Sequence, residues 1–402
     1  MKTFSISQKA RRAIILGGMC SVSYLAVYLA RNILSAVSPQ MIELGVVTKD
    51  AVGTLSSVYF ITYAIGQLIN GSIGDKIKAK YMISLGLLFA GVCNLLFSLF
   101  ANQPLAPYIA YSMTGFSLAM IYGPMTKLVA ENTEPIYATR CSLGYTFASF
   151  FGSPLAGVLA VGLSWQAVFA VSSAVLAVMA ITCFGVFHGL ERRGIIRYGQ
   201  YEKPKSTGGG IRLLLKHRII KFTLISILTG VVRTTVVFWL PVYLADYLGF
   251  SPETAALLFT VSTLCISASA FISVFTYERL GRNMDLTILL AFICSTVSFL
   301  FVFLLKAPTL NIIFMVLAIM SSNCAASMLW SRYCPSLRDT GMVSGATGFL
   351  DFVSYMAAAT SSTLFASATD TIGWSGLILV WFGLMAIGVI VALPRFKHKE
   401  ER

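Results

Sequence analysis

Twelve apolar runs of about 20 residues, each closed by charge, Pro or Gly, follow one another along the 402-residue chain, and this succession leaves little choice of fold. A helix of about 20 residues rises about 30 Å, the thickness of the hydrocarbon core of a bilayer. The runs lie near 13–37, 52–74, 81–101, 105–126, 139–162 and 165–188, then near 219–245, 252–276, 286–305, 309–331, 340–366 and 371–393. With 57% hydrophobic and 11% charged residues, the chain carries more apolar surface than a soluble core of this size can hide. Lipid is therefore its solvent, and in lipid each backbone N–H must be paired within its own element. The pattern predicts an all-α membrane protein of twelve transmembrane helices in two pseudo-symmetric six-helix bundles.

Charge predicts the orientation. Of the 30 Lys and Arg residues, 26 fall on the side that holds both termini, and only Lys49 and Lys306 fall in the opposite loops. Positive residues near span ends are held in the cytoplasm during insertion, so both termini are expected inside, in a bacterial inner membrane. The basic start, Lys2 to Arg12, resembles a signal peptide, but the apolar run after it is too long and no small-residue cleavage site follows. The net charge of +14 is spread over short loops rather than gathered on one stripe, which argues against a nucleic-acid partner. Eight isolated cysteines without CxxC or Cys/His spacing read as packing residues, and no metal or cofactor is expected. No nucleophile–base arrangement is visible, so the chain is not expected to be an enzyme.

The longest polar stretch, 189–218, contains Lys203-Pro204-Lys205-Ser206-Thr207-Gly208-Gly209-Gly210, a linker composition. It divides an N-terminal bundle, 1–188, from a C-terminal bundle, 219–402, that ends in a basic cytoplasmic tail. A register shift of about 202 residues lays one half on the other. Arg31 then meets Arg233, Pro39 meets Pro241, Asp50 meets Glu253, and Asp75-Lys76 meets Glu278-Arg279 with one residue of slip. Parallel halves of this kind place a substrate between them near the midplane.

Arg31 and Arg233 are the only basic residues deep within the spans, Arg140 and Lys221 standing within two residues of a span end. A charge at bilayer depth costs from about 2.5 to more than 10 kcal/mol, so something must compensate for it. Two guanidinium groups facing one cavity would form a pocket for an oxyanion, since the planar fork donates paired hydrogen bonds and stays protonated when desolvated. The alternative is a pair of arginines satisfied by helix carbonyls and one acid, or snorkelling to the interface. Asp351, the only acid deep within the spans, is either a counter-ion of one arginine or a group that carries a proton through the cycle. Tyr28, Gln67, Ser149 and Tyr355 are among the polar residues expected to line the cavity. The GSPLAG run at 152–157 reads first as close helix packing.

Between spans two and three, Gly71, Asp75, Lys76 and Lys80 match the GxxxDxxxxx[RK] loop of the major facilitator superfamily, with a degenerate copy at Glu278 and Arg279. An Asp at a helix end paired with cations nearby would latch the halves and yield as they rock. Tyr28-Leu29-Ala30-Arg31, Pro39, the Asp75 loop, Pro124-Met125-Thr126-Lys127, and Arg233 with Trp239-Leu240-Pro241 together resemble the organophosphate:phosphate antiporter family of that superfamily. This resemblance implies a major facilitator fold, two phosphoryl-binding arginines at positions 31 and 233, and exchange of glycerol-3-phosphate or sugar phosphates. It also marks departures: Asn32 and Gln67 stand where the bacterial exchangers commonly carry lysines, and Ser149 where they carry a histidine. The expected function is a monomeric secondary transporter of a small organic anion, with phosphate exchange or proton coupling. A proton-coupled carboxylate symporter and a transporter-like membrane sensor are the alternatives.

Overall fold

The computed structural model describes residues 8–73, 77–198, 215, 217–337 and 343–393. Most of the 189–218 linker, the basic tail, Asp75 and Lys76 lie outside the described residues. The described residues form twelve successive helical rods with no strand among them. We number them α1 (Gln8–Glu43), α2 (Lys49–Ile73), α3 (Ala79–Leu99), α4 (Ala106–Leu118 and Tyr122–Asn132), α5 (Pro135–Ser149 and Gly152–Gly162) and α6 (Trp165–Arg192). The second six are α7 (Ile219–Gly230, a π-helical turn Val231–Val236, and Val237–Asp246), α8 (Pro252–Ser267 and Ser269–Arg279), α9 (Met284–Leu304), α10 (Pro308–Met328, a π-helical turn Leu329–Tyr333, and Cys334–Ser336), α11 (Val343–Thr371) and α12 (Gly373–Ala392).

Nine helices among the described residues are long and apolar enough to cross a membrane. The remaining three rods are α4 and α5, each interrupted near its middle, and α11, which is rich in Ser, Thr and Ala. Sequence sets the helix ends locally. Ser164 Oγ accepts from the Ala167 N–H and Asn283 Oδ1 from the Leu286 N–H, filling donors that a helix start leaves open. Pro107, Pro135 and Pro308 sit in first turns, where a missing N–H is harmless. Gly194, at φ +66°, closes α6 with a left-handed turn, and Ile195 N–H donates back to Leu190 O at 2.9 Å.

The chain divides into two compact units. One comprises Met1–Pro204 with Phe238–Leu264, and the other Lys205–Val237 with Cys265–Arg402. In the first unit, 238–264 is seated by polar contacts that few helix pairs in a bilayer lack. Ser35 Oγ donates to Phe238 O at 2.5 Å, Thr260 Oγ1 to Pro154 O at 3.4 Å, and Lys49 pairs with Asp246 at 2.8 Å. Gly157 allows this approach, because a Cβ there would lie 2.9 Å from Ala256 O. In the second unit α7 runs parallel to α11: Ser226 Oγ donates to Leu350 O at 2.8 Å and Thr235 Oγ1 to Ala358 O at 2.9 Å. Its lower end is tied by Asp285, which pairs with Arg218 and Lys221 at 3.1 Å each.

Candidate functional site

Each compact unit holds one arginine at depth. In the first unit, Arg31 is half-buried on α1, and three rings surround its guanidinium: Tyr63 at 5.3 Å, Tyr28 at 5.4 Å and Phe60 at 5.9 Å from the ring centroids. Aromatic faces carry negative quadrupole density, and at low dielectric each such contact stabilises a cation by about 0.5–2 kcal/mol. Three of them offset part of the cost of placing the charge in hydrocarbon. Phe60 and Tyr63 are themselves buried, and Tyr59 extends the ring cluster to Tyr63 and to Tyr111, whose centroid is 5.0 Å away.

The broken helix α5 reaches α1 at the same level. A Cβ at Gly152 would lie 2.6 Å from the Tyr28 carbonyl carbon, so only glycine lets the two backbones meet there. Ser149, buried, ends the first segment of α5 three residues earlier. Gln67, half-buried, lies one turn beyond Tyr63 on α2. The structure thus gathers Arg31 and Tyr28, with α2 and α5 beside them. Phe60 and Tyr63 were not singled out from sequence, although they precede Gln67 by seven and four residues, the spacing of one helix face.

In the second unit, Arg233 sits inside the π-helical turn of α7, half-buried, 5.9 Å above the ring of Trp330 in the π-helical turn of α10. Single π turns inside α-helices widen the coil by one residue and recur at functional sites. Among the described residues no carboxylate forms an ion pair with Arg233. On α11, Asp351 is half-buried and Tyr355 is buried. The α7–α11 register, 226 beside 350 and 235 beside 358, sets Asp351 about 9 Å below Arg233 along the axis at 1.5 Å per residue. Trp330 was also missed, because no sequence signal distinguishes it from an apolar core residue.

The gating residues divide. Gly71 lies near the end of α2 and Lys80 in the first turn of α3, while Glu278 and Arg279 are exposed at the end of α8. Lys80 is buried, pairs with Glu191 of α6 and contacts His188 Nδ1 at 3.1 Å; Lys78 pairs with the same carboxylate at 2.8 Å. The hydrogen bond and charge of Glu191 raise the Lys78 ammonium above its ordinary value. No group of His, Cys, Asp and Glu among the described residues is placed to hold a metal ion.

A family model described as the Major Facilitator Superfamily matches residues 20–359. The chain is 21% identical to the membrane sensor protein UhpC of Escherichia coli (strain K12), over 93% of this chain and 90% of that protein. It is 25% identical to the phosphoglycerate transporter protein of Salmonella typhimurium (strain LT2), over 88% of this chain and 82% of that protein. Among solved structures, a bacterial homolog of the human lysosomal transporter Spinster, inward-facing and unoccupied, superposes with a TM-score of 0.76 at 13% identity, covering 96% of this chain and 97% of that one.

Proposed function

Because the chain belongs to the major facilitator superfamily, a family of multi-pass membrane transporters rather than enzymes, we propose that it carries an organic anion by alternating access, a phosphate ester of the glycerol-3-phosphate or sugar-phosphate type. One observation supports the reading most: Arg31 on α1 and Arg233 on α7 stand half-buried within their spans, three aromatic rings against the first guanidinium and the Trp330 ring against the second. A guanidinium stays protonated when desolvated, and its planar fork matches the geometry of an oxyanion. The relative named a phosphoglycerate transporter supports the solute class. Tyr28, Gln67, Ser149 and Tyr355 then contact the organic part of the solute.

The remaining parts of the reading are proposals of the same kind. The chain acts as a monomer of two six-helix bundles, 1–188 and 219–402, joined by a cytoplasmic linker at 189–218. Both termini lie in the cytoplasm of a bacterial cell, and the charged loops at 71–80 and 278–279 form the gate. Asp351 serves either as the counter-ion of one arginine or as the group that takes and releases the coupling proton, and it stands about 9 Å from Arg233 along the helix axis. A carboxylate carried with a proton remains compatible with the same residues. The first relative is called a membrane sensor, which favours a second reading: binding of the same anion without flux.

Counterflow of labelled glycerol 3-phosphate into proteoliposomes tests both. Transport by wild type that is abolished in Arg31→Ala and in Arg233→Ala supports the transporter. Undiminished transport in either variant refutes the arginine assignment, and saturable binding without counterflow points to the sensor.

A further inference from the structure

A groove of about 390 Å³ runs up the first unit between the N-terminal part of α1 and the start of α5, lined by Ile14, Gly18 and Ser21 from one helix and by Arg140 and Gly144 from the other. We propose that it seats one anionic phospholipid of the leaflet on the N-terminal side, with the phosphodiester between Arg11 and Arg140 and an acyl chain over Gly18 and Gly144. The site does not depend on the reading of Arg31.

The groove opens away from Arg31. At about 100° per residue, Gly18 lies about 140° round α1 from that guanidinium, and it is exposed. Arg11, Gly18 and Val22 follow at steps of seven and four residues, with Ile14 and Ile15 between them, and all five are exposed on this one face. On α5, Arg140, Gly144, Phe147 and Phe151 follow at steps of four, three and four, with the arginine and both rings exposed. The two helices run parallel here, because Gly17 meets Cys141, Ser21 meets Gly144 and Tyr28 meets Gly152 in ascending order. Both stripes therefore read in the sense of a phospholipid: a cation at the membrane surface, then glycine, then large apolar side chains deeper in the hydrocarbon.

Charge favours the same occupant. Lys9 and Glu134 already pair with each other at 2.5 Å, whereas Arg11, Arg12 and Arg140 form no ion pair among the described residues. Arg140 lies with its guanidinium 5.8 Å over the Tyr137 ring, and its neighbour Cys141 sets it near the level of Gly17, about 9 Å along the axis from Arg11. Helical side chains lean toward the N-terminus of their own helix, so Arg140 leans down toward the level of Arg11. Arg12 projects about 100° further round α1, off the exposed stripe. A phosphodiester supplies the charge that two such forks recognise, and a second copy of this basic face would not. The hollow receives the chain: a Cβ at Gly17 would collide with Cys141 Sγ at 2.6 Å, so that glycine joins the helices, but a Cβ at Gly18 would meet nothing within 4 Å and one at Gly144 only Ser21 Oγ at 3.2 Å.

Native mass spectrometry of the full-length protein, released from nanodiscs of equal phosphatidylglycerol and phosphatidylcholine, tests the assignment. Wild type is expected to retain one phosphatidylglycerol in preference to phosphatidylcholine. Arg11→Gln and Arg140→Gln should each lower that retention about fivefold, Arg140→Lys should restore most of it, and Gly18→Leu should abolish it with every charge intact. Arg12→Gln removes the same charge from another face and should leave retention unchanged. Equal losses in Arg12→Gln and Arg11→Gln, a wild type that retains both lipids equally, or a Gly18→Leu protein that keeps its phosphatidylglycerol each overturns the proposal. A dimer that survives removal of lipid and is lost in Gly18→Leu assigns the groove to a second copy and refutes it as well. Thermal melts in detergent guard against a misfolded variant: Gly18→Leu should melt as wild type does without added lipid, and only wild type should gain stability from phosphatidylglycerol. Equal gains in the two proteins would overturn the site.

Discussion

Arg233 stands 5.9 Å over the ring of Trp330, and each of the two residues belongs to a π-helical turn, 231–236 in α7 and 329–333 in α10. An extra residue in a helical turn rotates every side chain beyond it and loosens the i to i−4 ladder locally. Two such turns in one unit, joined by a cation and the ring best suited to receive it, mark the place where the second unit departs from regular helix.

Removing that ring should weaken anion binding without abolishing it. Trp330→Leu is expected to raise the apparent dissociation constant of glycerol 3-phosphate by about 2–30-fold, the equivalent of one cation–π contact, and Trp330→Phe by less than half of that free energy. Isothermal titration of the purified protein checks the order, and equal losses in the two variants would show that the ring does not act through its π-face.

Around Arg31 the prediction separates ring from hydroxyl. Tyr63→Phe keeps the aromatic face at 5.3 Å and should bind as wild type does, whereas Tyr63→Leu should lose about 0.5–2 kcal/mol of binding. Should Tyr63→Phe lose as much, the phenol oxygen and not the ring contacts the solute.

The Lys49–Asp246 pair fastens the 238–264 segment to α2, with side chains 26% and 36% accessible, so its contribution is modest. Asp246→Asn should speed hydrogen exchange of 238–264 up to about fivefold, as loss of about 0.2–1 kcal/mol implies. The reversed pair, Lys49→Asp with Asp246→Lys, should restore the wild-type rate. Exchange that stays slow in Asp246→Asn would place the fastening in Ser35 and Thr260 instead.

At the other end of the first unit, Glu191 compensates a buried lysine. The Lys80 side chain is 4% accessible and that of Glu191 22%, so Glu191→Gln leaves an ammonium group in low dielectric without this carboxylate partner. A loss of about 2 kcal/mol in unfolding free energy is expected, with recovery when Lys80→Met is added. The part conferred through Lys78 has its own pH signature. A raised lysine stabilises fully below its ordinary value of 10.5, and that part is lost as pH rises through the raised value. Thermal melts of wild type and Lys78→Met should therefore keep a constant gap at neutral pH and converge above pH 10.5.

The spans near 81–101, 165–188, 219–245 and 286–305 were legible from sequence to within a few residues, as were the depth of Arg31 and Arg233 and the prolines eight residues beyond them. The reason is that a bilayer imposes a one-dimensional rule: a fixed apolar length, and a heavy penalty on any charge inside it. Which rings enclose Arg31, the meeting of two π turns at Arg233 and Trp330, and the seat of 238–264 beside α1 and α5 were decided only by tertiary structure. Those features depend on how each helix is rotated about its own axis, and one residue turns a helix by about 100°. The sequence pattern fixes that rotation only through contacts between residues far apart in the chain, such as Gly152 with Tyr28 and Gly157 with Ala256, which no local spacing reveals.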